Sequence, residues 1–245
     1  MFKLKYTLTV LMLSVSACAS NNNEPIDVVK PYEVKEVYDP FETTNRRIYK
    51  FNYYVDQYVL IPVTNRYEEV TPGPVQTGVS NFLSNLGEIT TFINTGLQLK
   101  PKAAGVTVGR FVINTTLGVL GLVDVASGMG IPQYKEDFGQ TLAYYGVSEG
   151  PYLILPVLGP SNLRDLGGLG ADAYAFNQID PLNFEDHELR ALVYGGLRGV
   201  DARSKVPIGY YESGSPFEYD LLRRYYTDSR KIKAGSFKNN NHTDN

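Results

Sequence analysis

Between Val79 and Leu97 the apolar residues Val79, Phe82, Leu83, Leu86, Ile89, Ile93 and Leu97 recur at helical spacing. At about 100° per residue they fall within an arc of about 120°. Asn81, Asn85, Glu88, Thr91 and Thr95 project from the opposite side, and Thr90 and Phe92 break the division. The pattern predicts an amphipathic helix whose polar face is made of amides and hydroxyls with one carboxylate. A solvated helix would carry Lys and Glu there. Two readings fit such a face: a wet lane shielded from bulk solvent, with Asn81, Asn85, Glu88 and Thr91 along it, or contact with another polar element.

The next stretch, GRFVINTTLGVLGLVDVASGMG, is uncharged from Phe111 to Val123 and flanked by Arg110 and Asp124. As one helix that run spans about 20 Å, too short to cross hydrocarbon but long enough to lie within one leaflet. Phe111, Leu117, Leu120 and Leu122 are then candidates to face the membrane. Gly118 and Gly121 permit a bend or a close helix contact, and a buried hairpin is the alternative. Beyond Asp172 the style changes. Leu189, Leu192, Val193, Leu197 and Val200 alternate at helical spacing with Glu188, Arg190, Arg198 and Arg203, and Phe217, Leu221, Leu222 and Tyr225 with Arg223, Arg224 and Asp228. These helices read as water-facing. No regular alternation of strands and helices appears, so the fold class is mainly α, a single domain with Gly/Pro-rich loops.

Charge sharpens the picture. With 20% charged residues overall, the stretch from Val75 to Val123 would carry about ten charges on composition alone. It carries only Glu88, Lys100, Lys102 and Arg110, and the stretch from Phe138 to Leu163 carries only Glu149. At the other extreme, residues 1–17 combine Lys3 and Lys5 with an apolar run from Tyr6 to Val15, the pattern of a signal peptide. Val15-Ser16-Ala17-Cys18 follows, and it resembles the lipobox of bacterial lipoproteins, with Cys18 as the lipid attachment site. Cys18 is the only cysteine, so it has no partner for an internal disulfide. Ala19 after it goes with sorting to the outer membrane. Several acyl chains anchor a protein stably. Residues 18–38 read as a lipidated tether and 232–245 as a disordered tail. Loss of Lys3 and Lys5 shifts the formal charge from −3 to −5, which excludes nucleic acid as an expected partner.

One catalytic motif needs an answer. Gly146-Val147-Ser148-Glu149-Gly150 matches the G-x-S-x-G elbow of serine hydrolases. The two histidines are His187, in FEDHELR, and His242, in the tail, and Glu149-Gly150-Pro151 reads as a turn. There is no H-E-x-x-H and no cysteine pair. The reading is therefore a loop, with no catalytic residue, metal ligand or cofactor expected.

Five blocks, in order, carry a family resemblance: DPFETTNRRIYKFNYYVD (39–56), VSNFLSNLGE (79–88), GRFVINTTLGVLGLVDVAS (109–127), DFGQTLAYYGVSEGPYLILPVLGPSNLRDLGG (137–168) and SPFEYDLLRRYY (215–226). Residues 39–231 resemble the MlaA/VacJ family of outer-membrane lipoproteins, departing at Thr43-Thr44 and at Leu166. The resemblance implies a helical ring embedded in the inner leaflet of the outer membrane, pierced by a channel that removes mislocalised phospholipid from the outer leaflet. It implies as partners phospholipid, an outer-membrane porin trimer and a periplasmic lipid carrier of the Mla type, with no nucleotide and no bond chemistry. A structural lipoprotein that scaffolds porins is the alternative, and a lipid hydrolase a third. Arg164 and Asp165 read as a structural pair bracing a Gly-rich turn at Gly167-Gly168.

Overall fold

Asp39-Pro40-Phe41 leads the chain into a helical rod. Helix α1 (Glu42–Val55) runs through a π-helical turn (Asp56–Leu60) into α2 (Ile61–Val70). Pro62 has no N–H to return to the preceding turn, so the α-helical ladder is interrupted there and the chain widens. Asp56, in that wider turn, is buried and accepts a 2.6 Å hydrogen bond from Arg203. The computed structural model describes residues 36–184, 187–206, 210–211 and 214–240. Those from Val37 onward form one unit. The expected signal peptide, Cys18 and nearly all of the tether lie outside the described residues.

Pro72, Gly73 and Pro74 set the start of α3 (Gly73–Leu97), the helix expected from the 79–97 pattern. Leu99 takes a left-handed φ of 55°, and Pro101 begins α4 (Pro101–Thr116), giving a tight antiparallel hairpin whose two arms form the most extensive helix pair of the fold. The uncharged run does not continue as one helix to Val123. It stops at Thr116 because the chain turns at Gly118, where a Cβ would lie 2.1 Å from the Val123 carbonyl oxygen. Val119 and Leu120 follow at φ 53° and 58°, an arrangement L-residues avoid. It is held by hydrogen bonds from Leu120 N to Thr115 O (3.0 Å) and Gly121 N to Asn114 O (2.8 Å).

Short elements complete the unit. They are α5 (Val125–Gly128), α6 (Phe138–Tyr144), a hairpin of β1 (Tyr152–Leu155) and β2 (Gly159–Asn162), α7 (Leu163–Ile179), α8 (Glu188–Ser204) and α9 (Glu218–Asn240). Helix α9 continues past residue 231, into the segment expected to be a tail. The strands are antiparallel, with Tyr152 opposite Asn162 and Leu155 opposite Gly159. Three helix starts are capped by side chains: Asp124 accepts from Ser127 N, Asp137 from Gln140 N and Asn162 from Asp165 N.

Gly167 and Gly168 are not a turn but the first helical turns of α7, and Gly168 is where α7 crosses α6. A Cβ on it would stand 2.3 Å from Gly139 N, whereas one on Gly167 would meet nothing. The pair Arg164 and Asp165, 3.0 Å apart, belongs to a larger cluster. Asp165 also forms an ion pair with Arg230, whose Nε lies 2.7 Å away, and accepts from the Tyr226 hydroxyl (2.7 Å), while Arg230 bonds Asp137 at 2.6 and 2.8 Å. The starts of α6 and α7 are thereby pinned to α9. Burial raises the Asp165 carboxyl, but Arg230, Tyr226 and Arg164 outweigh it and hold it below the usual carboxylate range.

Among the described residues the interior is unusual: seven apolar residues are buried against 21 polar or charged ones, and 38 large apolar side chains are exposed. The apolar core is small and tyrosine-rich, with Tyr49, Tyr152, Ile154 and Tyr219 packed edge to face beneath the hairpin. No described helix is long and apolar enough to cross a membrane.

Gly168→Ala should destabilise the fold by about 2 kcal/mol or more, through overpacking against Gly139. Gly167→Ala should raise stability by about 0.5–1 kcal/mol. Thermal melts of the two variants provide the comparison. The depressed Asp165 also fixes a sign: its contribution is complete above its ordinary value of 3.8 and is lost as pH falls through the lower folded value. Asp165→Asn should flatten that part of an acid titration of the melting temperature.

Candidate functional site

The seam between α3 and α4 is closed by charge rather than by apolar packing. Arg110 of α4 is 1% exposed. Its Nε donates to Glu88 Oε1 of α3 (3.1 Å), its Nη2 to both oxygens of Asp124 (3.1 and 3.0 Å), and its Nη1 to Ser127 Oγ (3.2 Å) and the Ile131 carbonyl (2.6 Å). One guanidinium thus joins α3, α4, α5 and the chain after it. Burial raises the Asp124 carboxyl, but donors from Ser127 and Asn114 and the charge of Arg110 bring it down to about 2. Asn114 adds a bond from Nδ2 to Asp124 (3.0 Å) and accepts from Ala126 N (2.9 Å).

Above this seam opens a cavity of about 580 Å³ whose wall mixes apolar side chains such as Leu169 and Phe176 with polar ones, Ser84, Glu88, Thr91, Gln133, Asp172 and Arg198 among them. Gln133 Nε2 bridges Ser84 Oγ (2.8 Å) and Glu88 Oε1 (3.0 Å). Asp172, on α7, accepts from Asn94 Nδ2 (2.8 Å) and Phe138 N (2.9 Å), and its burial pushes its carboxyl up. Alongside runs a groove of about 540 Å³ with an apolar wall of Phe82, Leu182, Leu189, Val193 and Leu197. Leu83 and Tyr194 border both spaces. Polar and apolar compartments therefore adjoin along α3 and α8.

The residues singled out in the sequence divide between these features. Asn81 donates to the Leu122 carbonyl (3.1 Å) and buried Asn85 to Thr115 Oγ1 (3.0 Å), so both are spent on α4 and the turn after it. Glu88 and Thr91 are buried yet border the polar cavity. Leu117, Leu120 and Leu122 are exposed on the left-handed turn, with Leu117 and Leu120 about two-thirds bare, and Phe111 is half-buried. Ser148 lies exposed between α6 and β1. The order there is helix, turn, strand, whereas a nucleophile elbow needs strand, turn, helix. Arg164 N holds that loop through Glu149 O (3.2 Å), and Leu163 N through Pro151 O (3.1 Å).

Arg110, Asp124, Gln133 and Asp172 escaped the sequence reading as site residues. Arg110 and Asp124 had a signal, since each interrupts a long uncharged stretch. Arg110→Met should lower stability by about 3–5 kcal/mol, because Glu88 is left charged, buried and uncompensated. The same change at exposed Arg66, which pairs with Glu69 on the surface, should cost under about 1 kcal/mol. Thermal denaturation of the purified variants measures both.

The model of a family described as MlaA lipoprotein matches residues 37–233. An uncharacterized protein of Rickettsia conorii is 43% identical over 157 residues, 64% of this chain and 62% of its own length. The chain thus spans less than two thirds of that relative. The intermembrane phospholipid transport system lipoprotein MlaA of Haemophilus influenzae is 36% identical over 211 residues, covering 83% of this chain and 79% of the relative. A solved structure reported as "Structural basis for maintenance of bacterial outer membrane lipid asymmetry" aligns with a TM-score of 0.66 at 31% identity, over 80% of this chain and 99% of its own. With a family match across nearly the whole described unit and relatives of 36–43% identity, the chain belongs to the MlaA lipoprotein family.

Proposed function

We propose that the protein is a lipid-anchored ring in the inner leaflet of the outer membrane, and that it lets mislocalised phospholipids leave the outer leaflet through its polar cavity. The observation that carries this reading is the inversion of polarity. Large apolar side chains crowd the outside, including the turn from Leu117 to Val123, while polar groups line the inside. Large contiguous apolar surface is what soluble monomers avoid in water. In a leaflet such an arrangement is the stable one. The Haemophilus influenzae relative bears a phospholipid transport name, and the aligned structure concerns outer-membrane lipid asymmetry; both support the reading.

A phospholipid headgroup cannot enter hydrocarbon cheaply, because an unpartnered polar group costs several kcal/mol there. Glu88, Thr91, Gln133, Asp172 and Arg198 border a space of about 580 Å³ where such a group keeps hydrogen-bond partners. The adjoining apolar groove offers acyl chains a surface to follow. No covalent step is required, so the residues bind, shield and release. Acylated Cys18 would hold the ring at the membrane, a porin trimer would seat it, and a periplasmic carrier of the Mla type would take the lipid onward.

The test uses bulk on one helix. Gly87 of α3 borders the cavity and Gly96 does not, and a Cβ on either meets nothing within 4 Å. Gly87→Trp should obstruct the cavity and raise surface-exposed phospholipid to the level of a deletion strain, at normal protein abundance. Gly96→Trp should leave it at the wild-type level. A deletion strain with unchanged surface phospholipid but altered porin assembly would replace this reading with that of a porin scaffold.

A further inference from the structure

Glu88 carries an unmatched charge. Its Oε1 accepts from Arg110 Nε (3.1 Å) and from Gln133 Nε2 (3.0 Å), whereas its Oε2, equally buried, accepts no hydrogen bond among the described residues. Arg110 does not cancel it alone, for the same guanidinium is held by both oxygens of Asp124. Two carboxylates share one cation. The cluster therefore keeps a net charge of −1 at the wall of the polar cavity. A buried carboxylate oxygen left without a donor is costly, and a cationic donor offsets that cost best.

Resting on the lipid-path reading above, we propose that Glu88 selects lipids whose headgroup carries a primary ammonium. The ammonium donates to Oε2 and neutralises the cluster. Farther along the same cavity, Arg198 of α8 supplies positive charge for the phosphate, so the wall presents both signs that a phosphoethanolamine group needs. The shared edge at Leu83 and Tyr194 then leads an acyl chain into the apolar groove. A glycerol headgroup supplies hydroxyl donors but no charge, and a trimethylated amine supplies charge but no N–H. Each meets only half of what Oε2 lacks. A bare metal ion is a poor substitute, since no group of three or more His, Cys, Asp or Glu suited to one occurs among the described residues.

The test offers the purified full-length protein vesicles containing equal parts of phosphatidylethanolamine, phosphatidylcholine and phosphatidylglycerol with identical acyl chains. Mass spectrometry then quantifies the lipid retained. The wild type should retain phosphatidylethanolamine about tenfold over either competitor, the scale of one hydrogen bond to a charged group. Glu88→Gln keeps an oxygen for Arg110 and Gln133 but turns the other position into a donor. It should reduce that ratio to about one, through loss of retained phosphatidylethanolamine rather than gain of the two competitors.

A wild type that retains the three headgroups equally, or a Glu88→Gln protein that keeps the preference, would overturn the assignment while leaving the lipid path intact. A wild type that retains no lipid would overturn the path as well. If Glu88→Gln fails to fold, the three-headgroup comparison on the wild type decides alone.

Discussion

A single buried guanidinium organises the seam on which the cavity rests. Arg110 has five N–H donors and places them on two carboxylates, a hydroxyl and a carbonyl contributed by α3, by α5 with its cap and by the chain leading to Gln133. Several apolar side chains of the two helices, Phe92 and Leu97 of α3 and Val108 and Val112 of α4, lie exposed rather than in this seam. Polar contacts are also directional in a way that dispersion is not. The seam therefore fixes both the angle of the hairpin and the position of the cavity wall. The tyrosine-rich apolar core lies elsewhere, beneath the β hairpin, where α1 and α9 meet.

The division of labour follows from the two solvents the protein would meet. In a leaflet, burying apolar surface between helices gains little, since the lipid outside is as apolar as the neighbour inside. Hydrogen bonds and ion pairs are then the better cohesive contacts, and Asn94, Thr141, Gln98 and Glu136 form a second such seam between α3 and α6. Toward α9 the pattern reverts to that of a water-exposed protein. Ion pairs such as Arg46 with Asp220 lie on its surface, and aromatic rings lie beneath.

The mainly helical class, the end of α3 at Leu97 and the division of its two faces were legible in the sequence, because helical periodicity survives whichever face is buried, while its first turns from Gly73 to Gly78 lay outside the periodic pattern. Which face turns inward was not. Asn85 and Glu88 have the composition of a wet surface, yet they are buried, and the partners that bury them, Thr115 and Arg110, lie more than twenty residues away along the chain. Gly118 announced a bend, but two left-handed L-residues after it had no sequence signal, as their backbone bonds are set by Asn114 and Thr115. Gly167-Gly168 misled for a related reason. Glycine serves turns and close helix crossings alike, and only the approach of Gly139 reveals which. Asp172 and Gln133 were out of reach, since their roles exist only once α7 and the 131–136 segment fold over α3.

The π turn at Asp56–Leu60 has a consequence for how this rod tolerates change in length. A π turn accommodates one residue more than the α-helix it interrupts. Deleting a residue there would restore regular winding with the downstream faces still in place, whereas a deletion in the regular turns of α1 or α2 would rotate everything downstream by about 100°. The faces of α1 and α2 are thus indexed to each other by one residue, and Asp56, locked to Arg203 of α8 at 2.6 Å, is the notch in which that index is read. Outside the π turn, the residue count of the rod between Tyr49 and Thr64, both buried, is as constrained as any side chain in the core.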